Sequence, residues 1–160
     1  MSILDKLLGR KADRVSLEGE VIAIRWNPKL PDYGLYVAKK KNVILNEGIG
    51  RVSGLLNGEV SGYYDYIAIG TSDATASASD TSLHSEIDRG LATTSQETTS
   101  ITNDTAKWVK TFSFTATYTI NEVGICRGTS DDFLTRANLS VTVNDGDNLT
   151  IIYKVKVQSA

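Results

Sequence analysis

Alternation dominates the C-terminal half of this chain. In "TFSFTATYTI", Phe112, Phe114, Ala116, Tyr118 and Ile120 alternate with the hydroxyl residues Thr111 to Thr119. In "LTIIYKVKV", Leu149, Ile151, Tyr153, Val155 and Val157 alternate with Thr150, Ile152, Lys154 and Lys156. A period of two puts one set on a core face and the other toward water or a partner, as in antiparallel strands. Phe112, Phe114, Tyr118, Leu149, Ile151, Tyr153 and Val155 are therefore the expected core, with Ser113, Thr115 and Thr117 outside. The segments "INEVGICRG", "FLTRANLSVTV" and "ATTSQETTSIT" supply further strands. Asp145-Gly146, within "VNDGDN", is a hairpin signal.

Upstream the pattern is more mixed. "LEGEVIAIRW" and "GLYVA" read as strands around the turn-forming "NPKLPDYG", and "KKKNVILN" gives a third short strand. Lys39 to Lys41 fit a solvated hairpin tip or an edge guard. A helix is expected over about Glu47 to Leu56, with Ile49, Val52, Leu55 and Leu56 on one face, followed by the strand "YDYIAIG". "TSDATASASDTSLHSEIDRG" begins as a small-residue loop and ends in a short helical turn, with Asp80 as N-cap, Leu83 and Ile87 apolar, and Gly90 terminating.

Residues 1–14 form a separate arm ahead of the 15–160 domain. Ile3, Leu4, Leu7 and Leu8 fall on one helical face, away from Asp5, Lys6, Arg10 and Lys11. A helix this short needs a docking surface. That surface is its own domain, a neighbouring subunit or a membrane, the last disfavoured by an apolar face only about two turns long. The expected fold is mainly β: an antiparallel β-sandwich with two short helices and an N-terminal helical arm.

Composition narrows the function. The 160 residues carry 17 basic and 19 acidic side chains, a net charge of −2 that gives no electrostatic reason to expect nucleic acid. Cys126 is the single cysteine, which excludes an intrachain disulfide and a cysteine metal cluster. No run approaches membrane-spanning length, and "MSILDKLLGRKADR" lacks the apolar core of a signal peptide, so synthesis in a cytoplasm is expected, with no membrane partner. The sequons at Asn103, Asn138 and Asn148 carry little weight without a secretory route.

Candidate chemistry is sparse. "NVILNEGIG" leads from an apolar run through Gly48-x-Gly50 into a helix, the layout of a dinucleotide-binding turn. The third glycine position holds Ser53, Glu47 would face a pyrophosphate, and the downstream chain is antiparallel β where that fold needs parallel strands. No cofactor is expected. The glycines serve the turn and bring the helix close to the sheet. His84 has Ser82 and Ser85 nearby but no nucleophile elbow, and Cys126 sits in an alternating strand as a small hydrophobe. Asp131-Asp132 and Asp145-x-Asp147 read as turn residues, with incidental calcium in the second as an alternative. Tyr63, Tyr64, Tyr66 and Trp108 would form a sugar platform if they were exposed in a row. Alternation places Tyr64 and Tyr66 on one face with Ala68, and Trp108 at the core margin.

Several phrases in order carry a resemblance. "NVILNEGIGRVSGLLNG", "YIAIGTS", "DTSLHSEIDRG", "INEVGIC" and "GDNLTIIYKVKV" resemble a β-rich module of tailed-bacteriophage virion proteins. The matching positions are Asn46, Gly48, Gly70, Leu83, Glu86, Arg89, Glu122, Val123 and Gly124, within a resemblance spanning roughly residues 43–157. It implies a non-enzymatic structural component of a virion, made in the host cytoplasm, whose partners are other capsid or tail subunits and copies of itself. In tail-collar and fibre proteins the module opens a longer chain; here little beyond the arm accompanies it. That favours capsid decoration or cement, with tail, collar or baseplate attachment next. Ile3, Leu4, Leu7 and Leu8 become the expected partner-binding residues. Asn46, Gly48, Gly70, Glu86, Arg89 and Glu122 become structural ones, Arg89 pairing with Glu86 on one short helix or reaching Glu122 on a neighbouring strand. A carbohydrate-binding module is the rival from another class, and a small hydrolase stands behind it.

Overall fold

The computed structural model describes Ile3, residues 14–30 and residues 34–159. Strands β1 (Val15–Trp26), β2 (Tyr36–Lys41) and β3 (Val43–Ile44) precede helix α1 (Asn46–Asn57). Then come β4 (Tyr66–Gly70), β5 (Glu86–Leu91), β6 (Thr93–Glu97), β7 (Thr105–Ser113), β8 (Tyr118–Cys126), β9 (Phe133–Val143) and β10 (Asn148–Ser159). They form two five-stranded antiparallel sheets, one ordered β2-β1-β10-β7-β6 and the other β3-β9-β8-β4-β5. The protein is mainly β.

One core is shared by both sheets. Val21, Ala23, Trp108, Phe112, Leu149, Ile151 and Tyr153 from the first meet Ile67, Ile69, Ile120, Val123, Ile125, Val141 and Val143 from the second. The alternation of β7 and β10 selects these faces: Leu149, Ile151 and Tyr153 are fully buried, while Ser113, Thr115 and Thr117 are exposed. Tyr118 is the exception at 39% exposure. "TFSFTATYTI" is not one strand, because the chain leaves β7 at Ser113, crosses between sheets, and resumes as β8 at Tyr118. Tyr118 thus sits at a strand entrance on the rim, its ring 6.1 Å from that of Phe114.

Asp145-Gly146 also joins strands of different sheets, β9 and β10, so it turns a corner where a hairpin was expected. Gly146 takes φ 86 there. The two corners are stitched together: the Gly146 N–H donates to the Phe114 carbonyl at 2.9 Å, and the Phe114 N–H to that of Asp147 at 3.0 Å. Asp147, almost fully buried, accepts from the Asn144 N–H and the Asn27 amide, a turn-forming role.

The helix forms where expected but packs differently. Gly48 is its buried residue, and a Cβ there would lie 2.8 Å from the Leu134 backbone, so glycine lets the helix approach β9. Val52 touches the shared core, whereas Ile49 and Leu56 are 53% and 85% exposed. Asn46 belongs to the first helical turn, its N–H donating to the Ala78 carbonyl at 2.8 Å.

The second expected helix is absent. Glu86–Leu91 is strand β5, paired with β4. The register shifts between Ile69 and Gly70, leaving Ile87 as an extra residue. A bulge of that kind breaks the period of two and brings residues three apart to the same side. It thereby counterfeits helical spacing. Of the arm, Ile3, at 80% exposure, and Arg14 are described; Leu4, Leu7 and Leu8 lie outside the described residues.

The connection from β6 to β7 depends on one carboxylate. Asp104 accepts the N–H groups of Thr99, Ser100 and Ile101 at 2.8, 2.9 and 2.9 Å, and the Thr105 hydroxyl at 2.9 Å. The hydrogen bond from Ile101, against an opposing effect of burial and aided by Thr99, Ser100 and Thr105, holds its pKa far below the usual carboxylate range. Because the folded pKa is depressed, its stabilisation is complete above the ordinary value near 4 and fades as the pH falls below it. Amide protection factors of Thr99, Ser100 and Ile101 should therefore drop in acid, and Asp104→Asn should lower them at neutral pH. Protection that ignores both changes would contradict this role.

Candidate functional site

The densest polar cluster among the described residues lies on the outer side of the second sheet. Residues 71–85 connect β4 to β5 as a strap of mostly small side chains. Few of its backbone groups pair within a regular ladder, so the sheet must satisfy them. Arg136 on β9 and Glu122 on β8, both fully buried, do much of this. The Arg136 Nε and Nη2 reach Glu122 Oε2 at 3.0 and 2.9 Å, Nη1 reaches Asp80 Oδ2 at 2.9 Å, and Nη2 also donates to the Ala74 carbonyl at 2.8 Å. Glu122 accepts the N–H groups of His84 and Ser85 at 2.9 and 2.6 Å. Asn138 completes the seam, donating to the Ala74 carbonyl and accepting the Ala76 N–H.

Leu83 inserts beneath this network into a second apolar cluster with Leu45, Ala68, Cys126 and Phe133. Gly70 makes the close approach possible: a Cβ there would lie 2.4 Å from Glu122 Oε1 and 2.5 Å from the Ser85 carbonyl. A buried charge pair of this kind is tolerated because each polar atom has a partner.

Of the two arrangements considered for Arg89, the structure has the pairing with Glu86, now on the bulged strand β5. Its Nε and Nη2 contact the Glu86 carboxylate at 2.6 Å each, while Nη1 donates to the carbonyls of Gly128 and Ser130 at 3.3 and 2.8 Å. Arg89 thus holds the β8–β9 loop against β5, and the guanidinium facing Glu122 is that of Arg136. Sequence gave Arg136 no special status. It occupies an outward position of an alternating strand, where arginine normally meets water. The strap, 50 or more residues upstream, closes over it through Ala74 and Asp80.

The remaining candidates are placed as follows. The His84 Nε2 lies 3.2 Å from Asp80 Oδ1, while Cys126 is packed among apolar side chains, its thiol pushed up to about 12 by burial. A thiol so raised stays protonated at neutral pH and is a poor nucleophile. The Glu47 carboxylate accepts the Phe133 N–H at 3.0 Å. Trp108 and Tyr64 are buried, the Trp108 indole donating to the Tyr64 carbonyl at 2.7 Å, whereas Tyr63 is 68% exposed. The four aromatics therefore make no exposed row. Tyr66 and Ala68 share the second cluster, while Tyr64 belongs to the first, so the expected shared face holds for two of the three.

A shallow cavity of about 250 Å³ opens on the first sheet between Glu18, Glu20, Lys41, Lys154, Lys156 and Thr105. Its lysines already have partners: Lys41 with Glu18 at 3.1 Å, Lys154 with Glu97 at 2.6 Å, and Lys156 with the Ser100 hydroxyl at 2.8 Å. Exposed pairs of this sort are screened and contribute little. Lys39 and Lys41 lie on edge strand β2, the edge-guard position.

No family model, curated protein or solved structure matches the chain.

Proposed function

We propose that the protein is a non-enzymatic structural component of a tailed-phage virion, a capsid decoration or cement protein first and a tail, collar or baseplate attachment protein second. In this reading the two sheets form a sandwich that presents an apolar edge, and residues 1–14 dock on a neighbouring subunit. The observation that carries it is the run Leu35, Tyr36 and Val37, exposed by 73%, 42% and 58% at the start of the edge strand β2, ahead of its lysine-guarded stretch. Soluble monomers usually blunt such edges, so consecutive apolar side chains there favour a subunit contact. Arg136, Glu122, Asp80 and Asn138, the polar side chains of the densest cluster, are occupied in holding the strap, which further supports a scaffold.

The test is the copy number of this chain in purified particles. A structural component is present in a fixed number per particle, and His84→Ala and Cys126→Ala leave that number unchanged. Absence from particles, or loss of incorporation on either substitution with the fold intact, would contradict the proposal.

A further inference from the structure

Strand register fixes which residues share the outer face of the first sheet. One row across it runs Lys39, Ile22, Ile152, Val109 and Thr93; the next runs Val37, Ile24, Thr150 and Thr111. Trp26 adjoins them, its indole N–H donating to the Thr150 hydroxyl at 3.2 Å. Directly opposed residues lie on one side of a sheet. Since the alternate set Val21, Ala23, Ile151, Tyr153 and Trp108 fills the core, these rows face outward.

The face therefore has two halves of opposite character. Toward the start of β1 it carries Glu18, Glu20, Lys154 and Lys156, as a solvated face should. Toward the end of β1 it carries Ile22, Ile24, Trp26, Val109 and Ile152, each partly buried, with the exposed Val37 beside them. The strap covers the outer side of the second sheet, but no described strand or helix lies over this half-face.

We infer that this apolar half-face receives the N-terminal segment, residues 1–13, of a second copy of the chain; the inference rests on the assembly role proposed above. Dimensions agree. Six residues in the helix expected from the spacing of residues 3–8 are about 9 Å long, and the patch spans β1, β10 and β7, two strand spacings or about 10 Å. Ile3, Leu4, Leu7 and Leu8 supply an apolar face of matching size. Direction and exposure favour the second copy over the first. The segment enters β1 at Val15, opposite Ser159, at the charged end of the face, and Ile3 is 80% exposed in its own chain. Reaching its own Ile22 would require the chain to reverse and recross the Glu18 and Glu20 rows.

Complementation between two full-length variants tests this, with sedimentation velocity as the readout. Ile152→Lys spoils the face and keeps the arm; the double substitution Leu4→Ser with Leu8→Ser spoils the arm and keeps the face. The wild-type chain should self-associate, each variant alone should lose at least about tenfold in association constant, the loss of one apolar contact, and their mixture should associate one to one. If Ile152→Lys disturbs folding, the pair Ile22→Thr with Ile152→Thr keeps β-branched residues in both strands. A mixture that stays monomeric overturns the inference, as does an arm variant that still associates, which would indicate face-to-face packing. A monomeric wild-type chain that nevertheless enters particles overturns the exchange alone. An associating chain absent from particles overturns the assembly role alone.

Discussion

Arg136→Leu is expected to lower the stability of the domain by about 3–5 kcal/mol, because it leaves the fully buried Glu122 carboxyl without its guanidinium partner. The strap loses more than a charge partner. The Ala74 carbonyl and the Asp80 carboxylate lose Arg136 donors, so residues 71–85 should become sensitive to protease while the remainder of the chain stays resistant. Replacing both members of a buried pair by leucine is often neutral elsewhere. Here it should not be, since the His84 and Ser85 N–H groups would then face an apolar side chain where Glu122 accepts from them now. The double substitution should cost less than the sum of the single ones but remain destabilising. Urea unfolding midpoints for the two single variants and the double variant give the coupling directly. A midpoint unmoved by Arg136→Leu would show that the network contributes no net stability.

Phe114→Ala is expected to cost about 3–5 kcal/mol, the range for an aromatic side chain removed from a core. Phe114 is 8% exposed and closes one end of the shared core. Its backbone also ties the two inter-sheet corners together, so the cavity opens where the sheets are held in register with each other. Tyr118→Ala, four residues on, should cost only about 1 kcal/mol, the value of a tilted aromatic pair at a half-exposed site. Equal losses at the two positions would mean that the strand entrance at Tyr118 is packed as a core position. Thermal or chemical unfolding of the pair settles the comparison.

That contrast marks how far periodicity reaches. Within β7 and β10 the period of two selected Phe112, Leu149, Ile151, Tyr153 and Val155 correctly, because a central strand with one core face has only two side-chain sets to choose between. The crossing at residues 114–117 was illegible because alternation continues in phase through it; nothing local separates a long strand from two strands of different sheets. Asp145-Gly146 shows the same limit, since turn chemistry fixes backbone angles without fixing which strands the turn joins. At Glu86 to Arg89 the bulge removed the strand signature and left spacings that suit a helix.

The structural residues fared unevenly for a related reason. Gly48 and Gly70 stand where a side chain would collide with backbone, which sequence can suggest through a glycine beside a strand or helix start. Glu122 was legible as a structural carboxylate, but its arginine was not. The partner is 14 residues away on the adjacent strand, and its burial depends on a strap still further off in sequence. A charged residue amid the apolar run "FLTRANLSV" was the only available sign.

Assembly through the N-terminal segment is the claim on which the proposed function turns. Burying Ile3, Leu4, Leu7 and Leu8 on a neighbour would contribute roughly 6–10 kcal/mol of gross hydrophobic stabilisation, reduced by the costs of ordering and association. The core described for the domain is built from residues of both sheets. The decisive measurement is the occupancy of a chain lacking residues 1–14 on assembled particles, read beside its melting curve in isolation. The account predicts a sharp loss of occupancy with a nearly unchanged melting temperature; normal occupancy, or a collapsed melting temperature, would contradict it.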